Sequence, residues 1–537
     1  MTVNDHTSTN EDMTLSENEP MNGAQALIRT LVDSGVDTCF MNPGTSEMHF
    51  VAALDDVPEM HSVLALFEGV ATGAADGYAR MAGRPAAVLL HLGPGLGNGL
   101  ANLHNARRAH TPIVNIVGDH ATYHAKYDAP LQSDIVSIAK GVSGWIRSST
   151  DPTAVAQDAA DSVAAAYGPP GQVATLVLPA DVCWSDSDGP VPAPTITPPR
   201  TVDADTIEQI AAILRSGEPA ALFIGGSACM EPGLVASSRI AATAGAQLIS
   251  ETFPARLQRG AGIPTVDRLG YLAEFAQAQL DGVEHLILVE AASPVSFFAY
   301  PDKASDLVPD GCTVHVLAAP GDDSTAALEA VADAIDAPAD AAVLAAPFRT
   351  DRPSGALNAE TFAAAIGALL PEDAIVVDEG NTAGLFVAGF TAGAPAHDWL
   401  CLTGGAIGYG MPVATGAAVA SPGRRVVNLQ ADGSAMYTIQ SLWTQVREGL
   451  DVTTLILNNQ SYAILNMELS RVGANPGPKA LEMLDLSNPT MDFVSIAAGM
   501  GVPATRATTA EEFTEQLERA LATPGPNLVE AILPPTL

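Results

Sequence analysis

The stretch Arg425-Val-Val-Asn-Leu-Gln-Ala-Asp432-Gly433-Ser434, followed further on by Leu455-Ile-Leu-Asn458-Asn459-Gln-Ser461, decides how the rest of the chain is read. The apolar run up to Ala431 reads as a strand that ends at Asp432. Ile439, Leu442, Trp443, Val446 and Leu450 then recur at helical spacing, on one face. A second strand ends at Asn458-Asn459. Parallel neighbours joined by one crossover helix bring their carboxyl ends to the same sheet edge. Asp432 and Asn459 then offer two oxygens to one cation. A carboxylate, an amide oxygen, a backbone carbonyl and phosphate oxygens together suit Mg2+. Gly433 and Ser434 open a helix, whose free N–H groups can hold a diphosphate. An Asp-Gly alone would be an ordinary helix cap; its pairing with Asn458-Asn459 across a crossover carries the metal reading.

Outward from this unit the same rhythm continues. Ala24, Leu27, Ile28, Leu31 and Val32 predict a helix that Gly35 ends. A strand over Val36 to Met41 closes on Asn42-Pro43-Gly44-Thr45. A strand over Val63 to Phe67 leads into a helix from Glu68 to Met81. Next come a strand from Ala86 to Leu92, a glycine loop, a helix from Asn98 to Ala109 and a strand from Pro112 to Val117. Gly189 to Pro199 reads as a linker, and Ala345 to Ser354 as a second boundary. Strands at Ala220 to Ile224 and Ala374 to Val377 open two further units. The expected fold is therefore α/β, with three doubly wound parallel-sheet domains over 21–188, 200–345 and 355–537. Residues 1–20 are polar and acidic and read as a disordered tail.

Composition narrows the function. Of 537 residues, 47% are apolar and 16% charged, and the formal net charge is −37. Such a field repels phosphate backbones and anionic lipid, so neither nucleic acid nor membrane is an expected partner. No apolar run approaches the ~18 residues that cross a bilayer. The five cysteines are scattered without zinc spacing, which reads as free thiols in a reducing compartment, with cytoplasm as the default location. No secretory leader is read at the N-terminus.

Two further groups stand at strand ends. Glu68, in Leu66-Phe67-Glu68-Gly, follows an apolar strand, so its carboxyl is expected to be desolvated and to keep a proton readily. His91, in Leu-Leu-His91-Leu-Gly-Pro-Gly, is a candidate for proton transfer. His120 and His124 lie one turn apart, a weak metal-pair pattern. Gly93-Pro-Gly95-Leu-Gly97-Asn-Gly99 does not have dinucleotide-loop spacing.

From Met21 onward the chain resembles the thiamine-diphosphate enzymes of the acetolactate synthase, pyruvate oxidase and benzoylformate decarboxylase group. Their signature is Gly-Asp-Gly and, about two dozen residues on, Asn-Asn; here Ala431 replaces the first glycine. The resemblance implies Mg2+ held by Asp432, Asn459 and the Ser461 carbonyl, and thiamine diphosphate near Gly433, Ser434, Tyr462, Ala463 and Ile464. It places the cofactor-activating glutamate at Glu68. It sets Asn381 and Thr382 on the diphosphate, the Gly405 carbonyl on the amino group, and Ile407 as the wedge beneath the bent cofactor. Gly44, Thr45, His91 and Asn98 lie where benzoylformate decarboxylase has pocket residues. That enzyme's middle-domain histidine has no counterpart in Pro294-Val295-Ser-Phe297-Phe298-Ala299-Tyr300-Pro301. Further pocket candidates are Gln132, Phe297, Phe298, Met467 and Glu468, the last an unexpected acid for an aromatic substrate.

The resemblance implies decarboxylation of a 2-oxo acid to an enamine. Carboligation as in acetolactate synthase, or aldehyde release, would follow. Benzoylformate decarboxylation and 2-hydroxyacyl-CoA cleavage are the alternatives, and a catalytically silent regulatory homologue is the non-enzyme alternative. Relatives bind FAD or a nucleotide in the middle domain; Ile224-Gly225-Gly226-Ser227 favours neither. The resemblance also implies a homodimer or homotetramer with active sites between subunits.

Overall fold

The computed structural model describes residues 21–535, so the tail read over 1–20 lies outside the described residues. Three sheets follow one another. The first holds β1 (Thr38–Asn42), β2 (His61–Leu64), β3 (Ala86–Leu90), β4 (Ile113–Asp119), β5 (Trp145–Ser148) and β6 (Val173–Pro179), in the order β2-β1-β3-β4-β6-β5. The second uses β7 (Ala220–Ile224), β8 (Gln247–Ser250), β10 (Asp267–Arg268), β11 (His285–Val289) and β12 (Thr313–Ala318), ordered β10-β8-β7-β11-β12. The third is built from β13 (Ile375–Glu379), β14 (His397–Cys401), β15 (Val426–Ala431), β16 (Val452–Asn458), β17 (Ala504–Ala507) and β18 (Asn527–Ile532). Its order is β17-β18-β16-β15-β13-β14, and β9 (Leu257–Arg259), from within the 200–345 stretch, adds an antiparallel edge to β14.

Every other pairing in these sheets is parallel. Strands β3, β6, β7 and β16 are buried at every residue, as strands covered by helices on both faces are. In each sheet successive connections leave one strand to opposite sides. This leaves crevices at the carboxyl ends of β1 and β3, of β7 and β11, and of β13 and β15. Open parallel sheets bind ligands at such points.

Two expected elements differ. The helix expected from Asn98 begins at Leu92 and runs to Arg108, so the glycine run forms its first turns. Its glycines permit close packing: a Cβ on Gly93 would fall 2.1 Å from Ser133 Oγ, and one on Gly99 2.8 Å from Thr72 Cγ2. Glycine costs up to about 1 kcal/mol in a helix, and here the neighbours demand it. The crossover after β15 is two helices, Asp432–Thr438 and Ser441–Arg447. The break turns Leu450 into a different core from Ile439 and Leu442, and Trp443 lies outside both, beneath Arg447. The single apolar face read from the sequence is therefore split.

The first and third sheets are clamped through the helices Glu68–Ala82 and Gly410–Ala420. Their crossing is backbone to backbone: a Cβ on Gly416 would fall 1.7 Å from the Ala74 carbonyl oxygen. Arg80, paired to Asp76 at 2.6 Å, donates to the carbonyls of Cys401 and Ala255 at 2.8 and 3.1 Å, joining all three sheets. Among the described residues no helix is long and apolar enough to cross a membrane.

Candidate active site

The third sheet's crevice gathers the groups expected to hold a metal and a diphosphate. Strands β15 and β16 are neighbours in register, Ala431 opposite Leu457, so Asp432 and Asn459 emerge side by side. Asp432 is 2% exposed. Its Oδ1 accepts the Gly433 N–H and its Oδ2 the Gln460 N–H, both at 2.7 Å, so one carboxylate spans the two strand ends. Burial pushes its carboxyl up to about 6, the signature of a carboxylate short of positive charge. The Asn459 Oδ1 accepts the Ser461 N–H at 3.1 Å. A Cβ on Gly433 would fall 2.4 Å from Tyr462, whose ring lies over the helix start and leaves space there only for glycine. The Ser434 hydroxyl is already engaged, donating to the Ala431 carbonyl and accepting from Gln430.

Below these groups lies a carboxylate that the sequence reading passed over. Glu379, at the end of β13, accepts the N–H groups of Gly408, Tyr409 and Gly410, and the Gln430 amide. It fixes the loop carrying Gly405 and Ile407. Its position, an acid closing the apolar strand Ile375–Glu379, was the available signal. The same loop is held from the first sheet: Asn105 donates to the Ala406 carbonyl at 2.8 Å, and Asn102 to that of Gly408 at 3.3 Å. Ile407 is half-buried and belongs to no core cluster, so it is not a plain core residue. Asn381, at φ 48°, is exposed and Thr382 half-buried on the adjoining turn. Ala463 and Ile464 open the helix Ala463–Arg471.

The first sheet's crevice gathers the other set. Gly44 and Thr45 follow β1, and His91 follows β3. Glu68 heads its helix, 9% exposed, and accepts from Asn98 Nδ2 at 3.0 Å. A Cβ on Gly95 would fall 3.1 Å from Glu68 Oε1 and 3.5 Å from His91 Cβ, so the carboxyl and the imidazole flank one glycine. The sequence reading missed Glu47, which is 1% exposed and bonded to His91 Nδ1 at 2.8 Å. Gln132 turns a buried side-chain oxygen inward without a partner. Among the described residues, no hydrogen bond or ion pair joins Thr45, Glu68 or His91 to Asp432, Asn459 or Ser461.

The middle sheet brings an aromatic group to the third-sheet loop. Phe253, Tyr271, Phe297 and Phe298 form a chain of ring contacts with centroids 5.1–6.2 Å apart. A Cβ on Gly405 would fall 2.8 Å from Phe297 Cζ. Glu468 stands near a cation, its Oε2 3.9 Å from Arg471 Nε, while its Oε1 is buried with no hydrogen-bond partner among the described residues. Met467 is half-buried beside it.

In the middle sheet's own crevice two carboxylates stand at the glycine loop. Glu290 Oε2 takes the Ser227 N–H and the Ser324 hydroxyl, each at 2.8 Å. Glu251 Oε2 lies 2.7 Å from where a Cβ on Gly225 would stand. Burial lifts the Glu251 carboxyl to about 7. The Glu290 carboxylate thus occupies one amide donor of the kind that holds a phosphate. The His120 and His124 rings lie tilted with centroids 5.3 Å apart, and among the described residues no three His, Cys, Asp or Glu side chains group as a metal site.

Comparison with known proteins places this geometry. Residues 21–139 match the thiamine pyrophosphate enzyme N-terminal TPP binding domain, and residues 379–531 its C-terminal TPP binding domain. A Mycobacterium tuberculosis protein, provisionally described as acetolactate synthase large subunit IlvX, is 62% identical over 96% of this chain and 99% of its own length. The chain belongs to the thiamine pyrophosphate enzyme family. Pyrophosphate here is the diphosphate of the cofactor named above. Benzoylformate decarboxylase of Pseudomonas aeruginosa is 30% identical over 92% of this chain and 96% of that protein. The thiamine diphosphate-dependent 4-hydroxybenzoylformate decarboxylase of Rhodococcus jostii superposes with a TM-score of 0.83, at 24% identity, over 96% of this chain and 99% of that one. That likeness establishes the shared three-sheet α/β fold. A member of this family with both binding domains is an enzyme dependent on that cofactor.

Proposed function

We propose that this enzyme binds thiamine diphosphate through Mg2+ and makes or breaks carbon–carbon bonds next to the ketone of a 2-oxo acid, with carboligation its favoured outcome. The observation that carries the choice of outcome is Phe297 against Gly405. The middle sheet brings the Phe297 ring, and not a histidine, against the loop that would face the reacting end of the cofactor. The cofactor, when bound, supplies an electron sink for the carbanion left by loss of CO2.

The chain's own residues divide the remaining work. Asp432, Asn459 and the Ser461 carbonyl would hold the cation, and Asn381, Thr382, Gly433 and Ser434 the diphosphate. Tyr462, Ala463 and Ile464 would close that end. Ile407 and the Gly405 carbonyl would orient the pyrimidine, with Gly44 and Asn98 beside it. Glu68, shielded from water and tied to Asn98, would hold a proton at the ring nitrogen. Thr45 and His91 would face the substrate. Protonation of the enamine, giving an aldehyde, is the second reading; His91, across Gly95 from Glu68, favours it.

The division of the two residue sets between the first and third sheets supports a homodimer or homotetramer with sites between subunits. Exposed apolar side chains beside each set, Leu66 near Glu68 and Met436 and Tyr437 after Ser434, support the same arrangement. The five free thiols agree with a cytoplasmic setting. Near-ultraviolet circular dichroism during thiamine diphosphate titration tests the cofactor site. A saturable signal that requires Mg2+ is expected; none at millimolar cofactor would mark a silent homologue.

A further inference from the structure

Glu47 sits at the base of the first sheet's crevice, 1% exposed. Its Oε2 accepts the Gly44 N–H at 2.7 Å and meets His91 Nδ1 at 2.8 Å. Its Oε1 has no hydrogen-bond partner. That oxygen is pressed onto β4, where a Cβ on Gly118 would fall 1.7 Å from it. His91 in turn lies against Gly44, whose Cβ would fall 2.2 Å from Nδ1. Glycines at 44 and 118 therefore make room for the pair. The His91 side chain is 22% exposed, and its Nε2 has no protein partner among the described residues. It is the one ring nitrogen left for a ligand.

We propose that Glu47 is the positioning residue of this enzyme: it fixes His91 with the proton on Nδ1, aims Nε2 at the substrate and stabilises the imidazolium. The inference rests on the substrate-facing role given to His91 above. A carboxylate bonded to one ring nitrogen sets the tautomer and raises the basicity of the other. The proton balance is simple. His91 gains a proton at Nε2 from solvent or substrate and returns it to the developing carbanion or alkoxide, while the Nδ1 proton stays shared with Glu47. Burial holds the Glu47 carboxyl above the usual range, and the His91 contact opposes that, so the two share one charge balance. Other titratable groups around the pair are Glu68 across Gly95, Cys183 on the helix Ala180–Trp184, and Asp119 beside Gly118. None of them hydrogen-bonds to either member. Burial pushes the Cys183 thiol up to about 12, so it is neutral here.

Peptide-resolved acylation by diethyl pyrocarbonate tests the pair without turnover, because the reagent attacks neutral imidazole. In Glu47→Gln, the midpoint of His91 acylation should fall by about one pH unit, so that well below the midpoint His91 reacts up to about tenfold faster. Glu47→Asp should move it part-way back. In parallel, the basic limb of the kcat/KM profile on any accepted 2-oxo acid should shift down by a similar amount, with cofactor affinity unchanged. An unshifted acylation midpoint in a folded Glu47→Gln variant would overturn the proposal. Absence of turnover in the wild type with the acylation shift intact would count against the function proposed above and leave the pair standing.

Discussion

Replacing Glu68 by Gln isolates the proton that the account assigns to this side chain. The amide has the carboxyl's shape, and its oxygen can still accept from Asn98 Nδ2, now at 3.0 Å. Folding should therefore change by less than about 1 kcal/mol. The metal and diphosphate groups belong to the third sheet and make no contact with Glu68, so cofactor affinity should fall less than about fivefold, or about 1 kcal/mol. Turnover is different, because an amide is a poor proton donor to a ring nitrogen. A positioned acid contributes about 10²–10⁴-fold, or about 2.7–5.4 kcal/mol in the barrier. Two assays separate these effects. Circular dichroism titration gives the affinity, and acid-quenched exchange of the cofactor's thiazolium proton in D2O gives activation directly. The variant should saturate with cofactor yet exchange at least about a hundredfold more slowly. Equal exchange rates would refute the assignment of Glu68, whatever happened to turnover.

Three other changes probe separate parts of the account. Asp432→Ala removes the carboxylate that bonds to the Gly433 and Gln460 N–H groups; it should abolish Mg2+-dependent cofactor binding while costing about 1–3 kcal/mol in urea denaturation. Retention of near-native affinity in Mg2+ would move the metal site elsewhere. Phe297→His puts a titratable ring against Gly405 and should shift product from hydroxy ketone towards aldehyde, read by mass spectrometry; an unchanged ratio would show that the middle sheet does not govern the outcome. Glu251 has its carboxyl raised from 4.5 to about 7 by burial, so the folded state binds a proton that the unfolded state has lost between those values. Stability is then lost as pH rises through that window. Glu251→Gln should gain up to about 3 kcal/mol over wild type at pH 8 and nothing at pH 4.5, and parallel denaturation curves at both pH values would contradict this.

The sequence made the third-sheet site legible because its parts are local. Strand, acid, helix and strand lie within one crossover, and period alone sets Asp432 beside Asn459. Strand β7 was readable to the residue, from Ala220 to Ile224, because both its ends meet polar or glycine residues. The start of the helix at Leu92 was not readable, since glycine normally argues against a helix; only Thr72 and Ser133, distant in sequence, explain its use. Glu47 was hidden for a similar reason. Its partners Gly44, His91 and Gly118 come from three strand ends, and the spacing shows none of these contacts. The approach of Arg471 to Glu468, at 3.9 Å and one helical turn on, is likewise a matter of side-chain placement that the spacing permits and does not require.

Incubation of the Mg2+–thiamine diphosphate enzyme with a panel of 2-oxo acids tests the central claim most directly: pyruvate, branched-chain acids and benzoylformate, each labelled with carbon-13 at the ketone. Mass spectrometry of all products then reports both chemistry and substrate. Label should leave the 2-oxo acid only when cofactor and Mg2+ are both present, and should accumulate in a 2-hydroxy ketone, with an aliphatic acid preferred over benzoylformate. Labelled benzaldehyde as the sole product would contradict the carboligation reading. Conversion of none of these acids by an enzyme shown to bind its cofactor would contradict the 2-oxo acid claim itself.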